Sequence, residues 1–305
     1  MVATADRAVL FNSSDDAERI RAFERVCLRD MAALAGLGGN ALGEWALRLA
    51  FGERARRVAR DFADFDLDVQ EGGVALASRA LMVRYGAQVE VEGAEHIPAF
   101  GPTLFVANHP GLMDCLAIYA TAGRPEARAL ARPQPLLLLL ASLAPNLLFL
   151  PDDGPGRGGA LRSVLGSLRS GRALVLFPAG SLEPEPSLID GAGDPLGPWS
   201  SGLGTLVRRA ARDNVPLRVV PTAISGVLSS ETWQRFRPLI GLRRTPRGRA
   251  DLAAFLQLAF PRLGWTTVRV RYGAPLDAID LMASSSDSAT LTARVRAEVR
   301  SLIAR

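Results

Sequence analysis

From residue 87 onward, short apolar runs alternate with segments of helical periodicity. This alternation is typical of an α/β fold with a mostly parallel sheet. Seven runs are predicted as strands, at Gln88–Val91, Thr103–Ala107, Ala127–Ala131, Leu147–Leu150, Ala173–Phe177, Leu217–Thr222 and Thr267–Arg271. Helices are predicted at Leu112–Thr121, Ala160–Ser170, Gly204–Asp213, Arg249–Phe260 and Leu291–Ala304. Ligands of such sheets bind beyond the carboxyl ends of the strands, so a site is expected just after Ala107 and just after Phe177.

The first 86 residues differ in pattern and are predicted as a helical N-terminal extension. Apolar residues recur at helical spacing after an acidic pair at positions 15 and 16, until three glycines interrupt them. Further helices are expected over Leu42–Phe65 and Ala75–Tyr85. The predicted division is therefore a helical extension at 1–86 and, at 87–305, an α/β domain whose mixed, mostly parallel sheet is flanked by helices.

The composition excludes several classes of function. All 36 basic residues are arginine, so the chain has no lysine for a Schiff base, a pyridoxal phosphate or a Walker-type phosphate loop. Two histidines and two distant cysteines cannot form a histidine- or cysteine-rich metal site, and no metal is expected. Cys27 and Cys115 are predicted as packing residues of a protein in a reducing, cytoplasmic setting.

The sequence does not predict a membrane-spanning protein. The longest uncharged stretch, Pro133–Pro151, contains four prolines, and its apolar run Leu136–Ala144 is too short to cross a bilayer. The N-terminal residues lack the basic start and apolar centre of a secretion signal.

The residues after the second predicted strand have a pattern that suits proton transfer. Pro110 and Gly111 predict a sharp turn after His109. If the next helix begins near Leu112, the carboxylate of Asp114 can reach back to an imidazole N–H. A carboxylate placed in this way fixes the tautomer and supports the imidazolium that forms when the other nitrogen takes a proton. The alternative is a histidine that caps a helix and is bonded to a nearby acid.

The surroundings of this turn add a family resemblance. The lead-in Val91-Glu-Gly93-Ala-Glu-His-Ile97-Pro98, then Gly101-Pro102, ends in Asn108-His109-x4-Asp114. This pattern strongly resembles the lysophospholipid (glycerolipid) acyltransferase family, which is marked by Asn-His-x4-Asp. Later blocks resemble the family's Phe-Pro-Glu-Gly block, its Val-Pro block and its closing strand, at Leu174–Gly180, Val219–Thr222 and Val268–Leu276 respectively. The resemblance covers about residues 88–280.

The resemblance implies an acyltransferase in which His109 is the general base on an acceptor hydroxyl and Asp114 orients it. The acyl group would pass directly from the thioester of acyl-CoA or acyl carrier protein to a lysolipid, with no cofactor besides this co-substrate. Gly180 is a candidate N–H donor toward the thioester carbonyl, because glycine lets a substrate approach the backbone closely. The residues expected to bind substrate are Asn108, Arg157, Phe177, Pro178, Gly180, Ser181 and Pro221.

Two departures from the family pattern bear on the acceptor. Where the family has Glu and then Gly-Thr-Arg, this chain has Ala179-Gly180-Ser181-Leu182, which leaves Glu183 and Glu185 as candidate replacements for the acid. The arginine that usually binds a glycerol phosphate is missing too. Arg157, in a glycine-rich segment expected to be a loop, is the candidate cation, because a guanidinium fork suits phosphate. The alternative is a solvated loop arginine.

The segment between Thr232 and Ala250 contains six arginines and no acid, with aromatic and aliphatic residues interleaved. As a loop of this composition it fits contact with an anionic membrane surface. A solvated loop is the alternative, and no nucleic-acid motif accompanies the segment, so no nucleic-acid partner is expected.

The sequence therefore predicts an α/β acyltransferase that binds peripherally to the inner, cytoplasmic face of the membrane. It would move a fatty acyl chain to the hydroxyl of a lysophospholipid or related lipid, including acceptors without glycerol phosphate. Because Ala179 replaces the family's acid, the rival hypothesis is a catalytically weak relative that acts as a lipid-binding or membrane-surface interaction protein.

Overall fold

The computed structural model describes residues 16–34, 41–151, 156–188, 194–285 and 287–305. Within these ranges the elements are, in chain order, α1 (Asp16–Leu34), α2 (Ala41–Arg84), β1 (Ala87–Glu92), β2 (Thr103–Ala107), α3 (Asp114–Thr121), β3 (Arg128–Ala131), α4 (Pro135–Leu139), β4 (Leu147–Phe149), α5 (Gly156–Arg169), β5 (Ala173–Leu176), α6 (Gly202–Arg212), β6 (Arg218–Ser225), α7 (Ser230–Gly241), α8 (Pro246–Ala259), β7 (Thr266–Tyr272), β8 (Leu276–Asp277), α9 (Ala278–Ser284) and α10 (Ser288–Ile303).

The strands form one sheet in the order β1-β7-β6-β2-β5-β3-β4, with β8 paired to β6. β2 is parallel to both β5 and β6, and β3 is parallel to β5 and β4. β7 is antiparallel to β6 and parallel to β1. Because β6, β2, β5, β3 and β4 all run in one direction, their carboxyl ends meet at the same edge. The predicted class, a mixed and mostly parallel α/β sheet flanked by helices, is confirmed.

All seven predicted strands are present, with bounds that differ by a few residues at most. The sequence predicts a break between residues 65 and 75, and α2 is kinked there: Gly73 has the non-helical angles φ 80° and ψ 164°, so the range Ala41–Arg84 consists of two helices that meet at this residue. Glycine adopts this positive φ without a steric cost. None of the described helices is both long and apolar enough to cross a membrane.

The basic segment predicted as a loop is mostly helical, so that prediction was wrong. Its arginines lie on α7, on α8 and in the short connection between them. The Ser229 hydroxyl accepts the Thr232 N–H at the start of α7, and the Thr245 hydroxyl accepts the Gly248 N–H at the start of α8. Trp233, Phe236 and Ile240 follow one another at helical spacing and pack into one apolar cluster, which accounts for the helix.

Two apolar layers cover the two faces of the sheet. Successive residues of a strand point to opposite faces, and Leu104 and Phe105 accordingly belong to different clusters. The Phe105 side packs against α2 and α3, and Phe65 of α2 belongs to its cluster. The Leu104 side packs against α5, α6 and α10. Helix α2 thus contributes to the core beneath the sheet, and the division at residue 86 stays a prediction.

Candidate active site

Strand β2 brings Asn108 and His109 to the carboxyl edge of the sheet. The Asn108 side chain is fully buried and forms two hydrogen bonds with the backbone of Ile224 in β6. Its Nδ2 donates to the carbonyl at 2.8 Å, and its Oδ1 accepts from the N–H at 2.8 Å. This pairing fixes the end of β2 against β6 and so places His109. The predicted role of Asn108 in substrate binding stays a prediction.

The turn from β2 into α3 requires a residue without a side chain at position 111. A Cβ on Gly111 would lie 2.5 Å from Cγ1 of Val227, closer than carbon atoms can approach. Helix α3 begins at Asp114, slightly later than the predicted start near Leu112. Asp114 is thus the first residue of the helix, where the helix dipole favours a carboxylate.

His109 and Asp114 lie together as the sequence predicted. Nδ1 of His109 is 2.6 Å from Oδ2 of Asp114. The carboxylate is buried and also accepts the N–H groups of Gly111 at 3.2 Å and Cys115 at 2.6 Å. Because an ionised carboxylate can only accept, Nδ1 bears the proton and Nε2 is left as the basic nitrogen. About a quarter of the His109 side chain (26%) is exposed, so the ring can be reached from solvent.

The electrostatic surroundings of His109 favour the imidazolium. Burial alone lowers the pKa of His109, but the charge and hydrogen bond of Asp114 act in the opposite direction. The charges of Glu183 and Asp251 add to those of Asp114, and together they raise the pKa of His109 above its usual value. Asp251 lies on α8, and burial raises the pKa of its own carboxyl. A ring in these surroundings is stabilised when it receives a proton, as a general base requires.

Phe177 and Pro178 follow β5 at the same edge of the sheet. The Phe177 ring is stacked on the His109 imidazole, with centroids 4.4 Å apart and planes inclined by 22°. The stacking adds a second constraint on the imidazole plane, beside the bond to Asp114. The Pro178 carbonyl accepts the N–H of Ser200 at 3.0 Å. Phe177 thus lies against the imidazole, and the substrate-binding roles of Phe177 and Pro178 stay predictions.

Gly180 and Ser181 lie in the turn that continues from Phe177. Gly180 has φ 63°, and its N–H donates to the Phe177 carbonyl at 3.0 Å. The N–H that we expected to face a thioester carbonyl is therefore engaged within the turn. A Cβ added to Gly180 would lie 3.5 Å from Nη2 of Arg132, so a guanidinium lies beside this turn. The sequence reasoning missed Arg132, although its position directly after a predicted strand was a usable signal.

Glu183 holds the backbone of His109 from both directions. The N–H of His109 donates to Oε2 of Glu183 at 2.9 Å, and the N–H of Glu183 donates to the His109 carbonyl at 2.7 Å. Oε1 accepts from the Gly197 N–H at 2.7 Å and from Nε1 of Trp199 at 3.0 Å. Burial raises the pKa of Glu183, and these hydrogen bonds offset the effect only in part. Of the two candidate replacements for the missing acid, Glu183 is the one bonded to His109.

Glu185 serves a different part of the molecule. Its carboxylate accepts five hydrogen bonds of 2.7–3.1 Å, from the N–H and hydroxyl of Ser187 and from the N–H groups of Gly226, Val227 and Leu228. Residues 226–228 connect β6 to α7. Glu185 therefore fixes the segment that leads from the sheet into α7.

Arg157 and Pro221 are the remaining predicted binding residues, and only the backbone of Arg157 is described. The backbone of Arg157 lies in the first turn of α5, so the predicted glycine-rich loop is helical from Gly156 onward, and positions 152–155 lie outside the described residues. Pro221 is buried inside β6, in register with Val106 of β2. The binding roles of Arg157 and Pro221 stay predictions.

Cys115 and His96 are the other reactive groups near the motif. Burial and the charge of Asp114 raise the pKa of Cys115, which disfavours a nucleophilic thiolate. His96 lies after β1, with Nδ1 2.8 Å from the Tyr272 carbonyl. Neither side chain forms one of the hydrogen bonds described for His109; Cys115 contributes only its backbone N–H to Asp114.

One segment of the chain matches a known family. Residues 88–225 match the Acyltransferase family model. The matched segment contains His109, Asp114, Phe177 and both buried glutamates, and it ends with the last residue of β6. Helices α7 and α8, the second of which includes Asp251, lie outside the matched segment.

Among solved structures, this chain is similar to the crystal structure of the 1-acyl-sn-glycerophosphate (LPA) acyltransferase PlsC from Thermotoga maritima. The two share 21% sequence identity over 83% of this chain and 88% of that chain, with a TM-score of 0.46. No match is found among curated proteins.

The matched substitutions Glu183→Gln and Glu185→Gln separate the roles of the two glutamates. In Glu183→Gln one acceptor oxygen becomes an NH2 group, so we expect the His109 amide or the Gly197 amide, whichever loses its acceptor, to exchange about 10- to 100-fold faster. This range corresponds to the loss of a hydrogen bond to a charged group. Amides 226–228 should keep their rates in Glu183→Gln and exchange faster in Glu185→Gln. Hydrogen–deuterium exchange followed by NMR measures both patterns, and identical patterns in the two variants would contradict the separate roles.

Proposed function

We propose that this chain is an acyltransferase that moves a fatty acyl group from a thioester, acyl-CoA or acyl carrier protein, to the hydroxyl of a lysophospholipid or related lipid. The observation that carries the proposal is the 2.6 Å pairing of His109 with Asp114 inside the segment that matches the Acyltransferase family model. The family match supports the reaction class, and the pairing supplies the base that such a reaction needs.

In the proposed reaction, Nε2 of His109 takes the proton of the acceptor hydroxyl while the hydroxyl oxygen attacks the thioester carbonyl carbon. An ester C–O bond forms, the C–S bond breaks, and the imidazolium returns its proton to the leaving thiolate. Asp114 keeps Nδ1 protonated and stabilises the imidazolium between these two transfers. The transfer needs no acyl-enzyme intermediate, in keeping with the raised pKa of Cys115 beside the pair.

The phosphate groups of a donor or acceptor would meet arginine, because the chain contains no lysine. Arg132, beside Gly180, supplies a guanidinium on the β5–β3 side of His109. Arg157 remains the residue predicted from sequence. Since Ser181 and Leu182 replace the family's Thr-Arg, an acceptor without glycerol phosphate is the alternative within the same reaction class.

The proposal predicts that His109→Ala lowers acyl transfer by about 10²- to 10⁴-fold, the usual contribution of a general base. The assay uses purified protein, a radiolabelled acyl thioester and a panel of lysolipid acceptors with and without phosphate. His96→Ala is the matched control, because it removes the other histidine of the chain and should leave the rate unchanged. Turnover that survives His109→Ala would contradict the base assignment.

The alternative function is a lipid-binding or membrane-surface protein with weak catalysis. Ala179 in place of the family's acid and the engaged N–H of Gly180 favour it. The same assay distinguishes it: lipid binding without turnover for every donor and acceptor would support this alternative against the enzyme.

Because the proposed acceptor is a membrane lipid, we place the protein at the cytoplasmic face of an anionic membrane. Exposed apolar side chains support this placement. Leu42, Trp45 and Leu49 lie at helical spacing on α2, and Leu239 and Leu242 lie at the end of α7 and just after it; all five are 44–76% exposed. Arg235 on α7 and Arg244 after it are also exposed. Cations near an anionic bilayer contribute about 1 kcal/mol each.

The double variant Arg235→Gln/Arg244→Gln should weaken binding to phosphatidylglycerol vesicles by about tenfold or more, because it removes two such cations. Co-sedimentation measures the bound fraction, and added salt should reduce the difference between variant and parent. The control Arg212→Gln/Arg218→Gln makes the same charge change near the opposite edge of the sheet and should bind as the parent does. If the parent and both double variants bind the vesicles equally, α7 does not contact the membrane.

A further inference from the structure

A cleft of about 160 Å³ is lined by Pro110, the residue after the proposed base His109. Its lining residues are Pro110, Pro184, Glu185, Leu188, Leu228, Trp233, Arg249 and Ala250. Pro110 directly follows His109 in the chain, so the cleft borders the turn that carries the proposed base. Trp233 of α7 and Arg249 of α8 form the wall that lies outside the acyltransferase-matched segment.

The walls of the cleft are held by hydrogen bonds between buried groups. Gln257 of α8 accepts the Ser229 N–H at Oε1 and donates from Nε2 to the Val227 carbonyl, both at 2.7 Å. The Glu185 carboxylate accepts the backbone N–H groups of residues 226–228, which come directly before Ser229. These bonds join α8, the β6–α7 connection and the loop after β5 into one frame. A cleft held in this way is already formed before a ligand arrives, which lowers the entropic cost of binding.

The cleft presents one positive charge in mostly apolar surroundings. The Glu185 carboxylate lines it too, but that group already accepts five hydrogen bonds from the protein. Arg249 is exposed, and its Nε donates to the Arg243 carbonyl at 3.0 Å, which anchors the guanidinium. Proline, leucine and tryptophan side chains supply most of the remaining lining. This chemistry suits an anionic group attached to an apolar body.

We propose that this cleft binds the anionic headgroup of an amphiphilic substrate, with Arg249 as the ligand of the anion and Trp233 against the adjoining apolar part. The volume supports a headgroup, because sites that enclose a whole drug-sized molecule are about 300–1,000 Å³. The proposal deepens the proposed acyltransferase function and rests on it. It assigns the anion to an arginine on the α7–α8 side of the site, whereas Gly180 and Arg132 lie on the β5–β3 side.

Two substrates could supply the anion: the phosphate of a lysophosphatidate acceptor or a phosphate of the CoA donor. The kinetic test compares Arg249→Gln with the parent, using short-chain substrates below their micellar concentration. Acceptors are hexanoyl lysophosphatidate and monohexanoylglycerol, and donors are hexanoyl-CoA and hexanoyl-pantetheine. The matched control is Arg262→Gln, an exposed arginine just after α8 that does not line the cleft.

Arg249→Gln should raise the KM of one anionic substrate, either lysophosphatidate or hexanoyl-CoA, by about tenfold or more, with little change in kcat. A loss of this size is expected when a charged hydrogen-bond donor is removed. An increase confined to lysophosphatidate, and absent for monohexanoylglycerol, assigns the cleft to the acceptor headgroup. An increase confined to hexanoyl-CoA, and absent for hexanoyl-pantetheine, assigns it to the donor. Unchanged KM values for both anionic substrates would overturn the proposal, as would an equal change in Arg262→Gln.

A binding measurement keeps this test independent of turnover. The parent protein and His109→Ala are each titrated with hexanoyl lysophosphatidate or with CoA. The tryptophan fluorescence should change and reach a plateau as the site fills. Trp233→Phe should remove the signal, and Arg249→Gln should weaken the binding by about tenfold or more. If the parent binds in this way but transfers no acyl group, the proposed function fails and the cleft assignment survives. No saturable Trp233 signal with either ligand would sink the cleft assignment itself.

Discussion

Glu183 and His109 exchange two hydrogen bonds, one from the backbone N–H of each residue, and the rest of the candidate site depends on this exchange. It ties the end of β2 to the loop after β5, two strands that are neighbours in the sheet. With the backbone of His109 fixed, the imidazole can be held by Asp114 at Nδ1 and by the Phe177 ring on its face. The acid that the family places after the proline is absent, and a buried carboxylate four residues further along takes a position against the same histidine.

The strand order of the sheet explains why His109 has different residues on its two sides. β2 is central, with β6 on one side and β5 and then β3 on the other. The β5–β3 side brings Gly180 and Arg132, while the β6 side leads into α7 and α8, with Trp233, Arg249 and Asp251. An acyl transfer needs two substrates that meet at one base, and a centre with separate walls on either side suits that requirement.

The parts of this arrangement that the sequence predicted are local in the chain. The strands follow from runs of apolar residues, and the His109–Asp114 pairing follows from a strand, a tight turn and a helix start within a few residues. Pro238 lies inside α7, and Pro246 begins α8, so the segment has the residues expected of a loop although its apolar spacing is helical. Spacing could not choose between Glu183 and Glu185, because both lie in a segment without periodicity. The effect of Asp251 on the pKa of His109 depends on how α8 packs, and α8 lies more than 130 positions after His109 in the chain. The sequence near His109 contains no signal for this packing.

In the proposed reaction His109 is a base whose proton affinity Asp114 raises. The most direct test is the pH dependence of kcat/KM for acyl transfer, together with an NMR titration of the His109 imidazole in the free protein. Since the base acts only when deprotonated, we expect activity to rise with pH through the pKa of His109, which lies above the usual value of about 6.5. In Asp114→Asn the maximum rate should fall and both midpoints should move to lower pH, because the stabilising charge is gone. A rate profile with the same midpoint in both proteins, or one that does not follow the imidazole titration, would contradict the account.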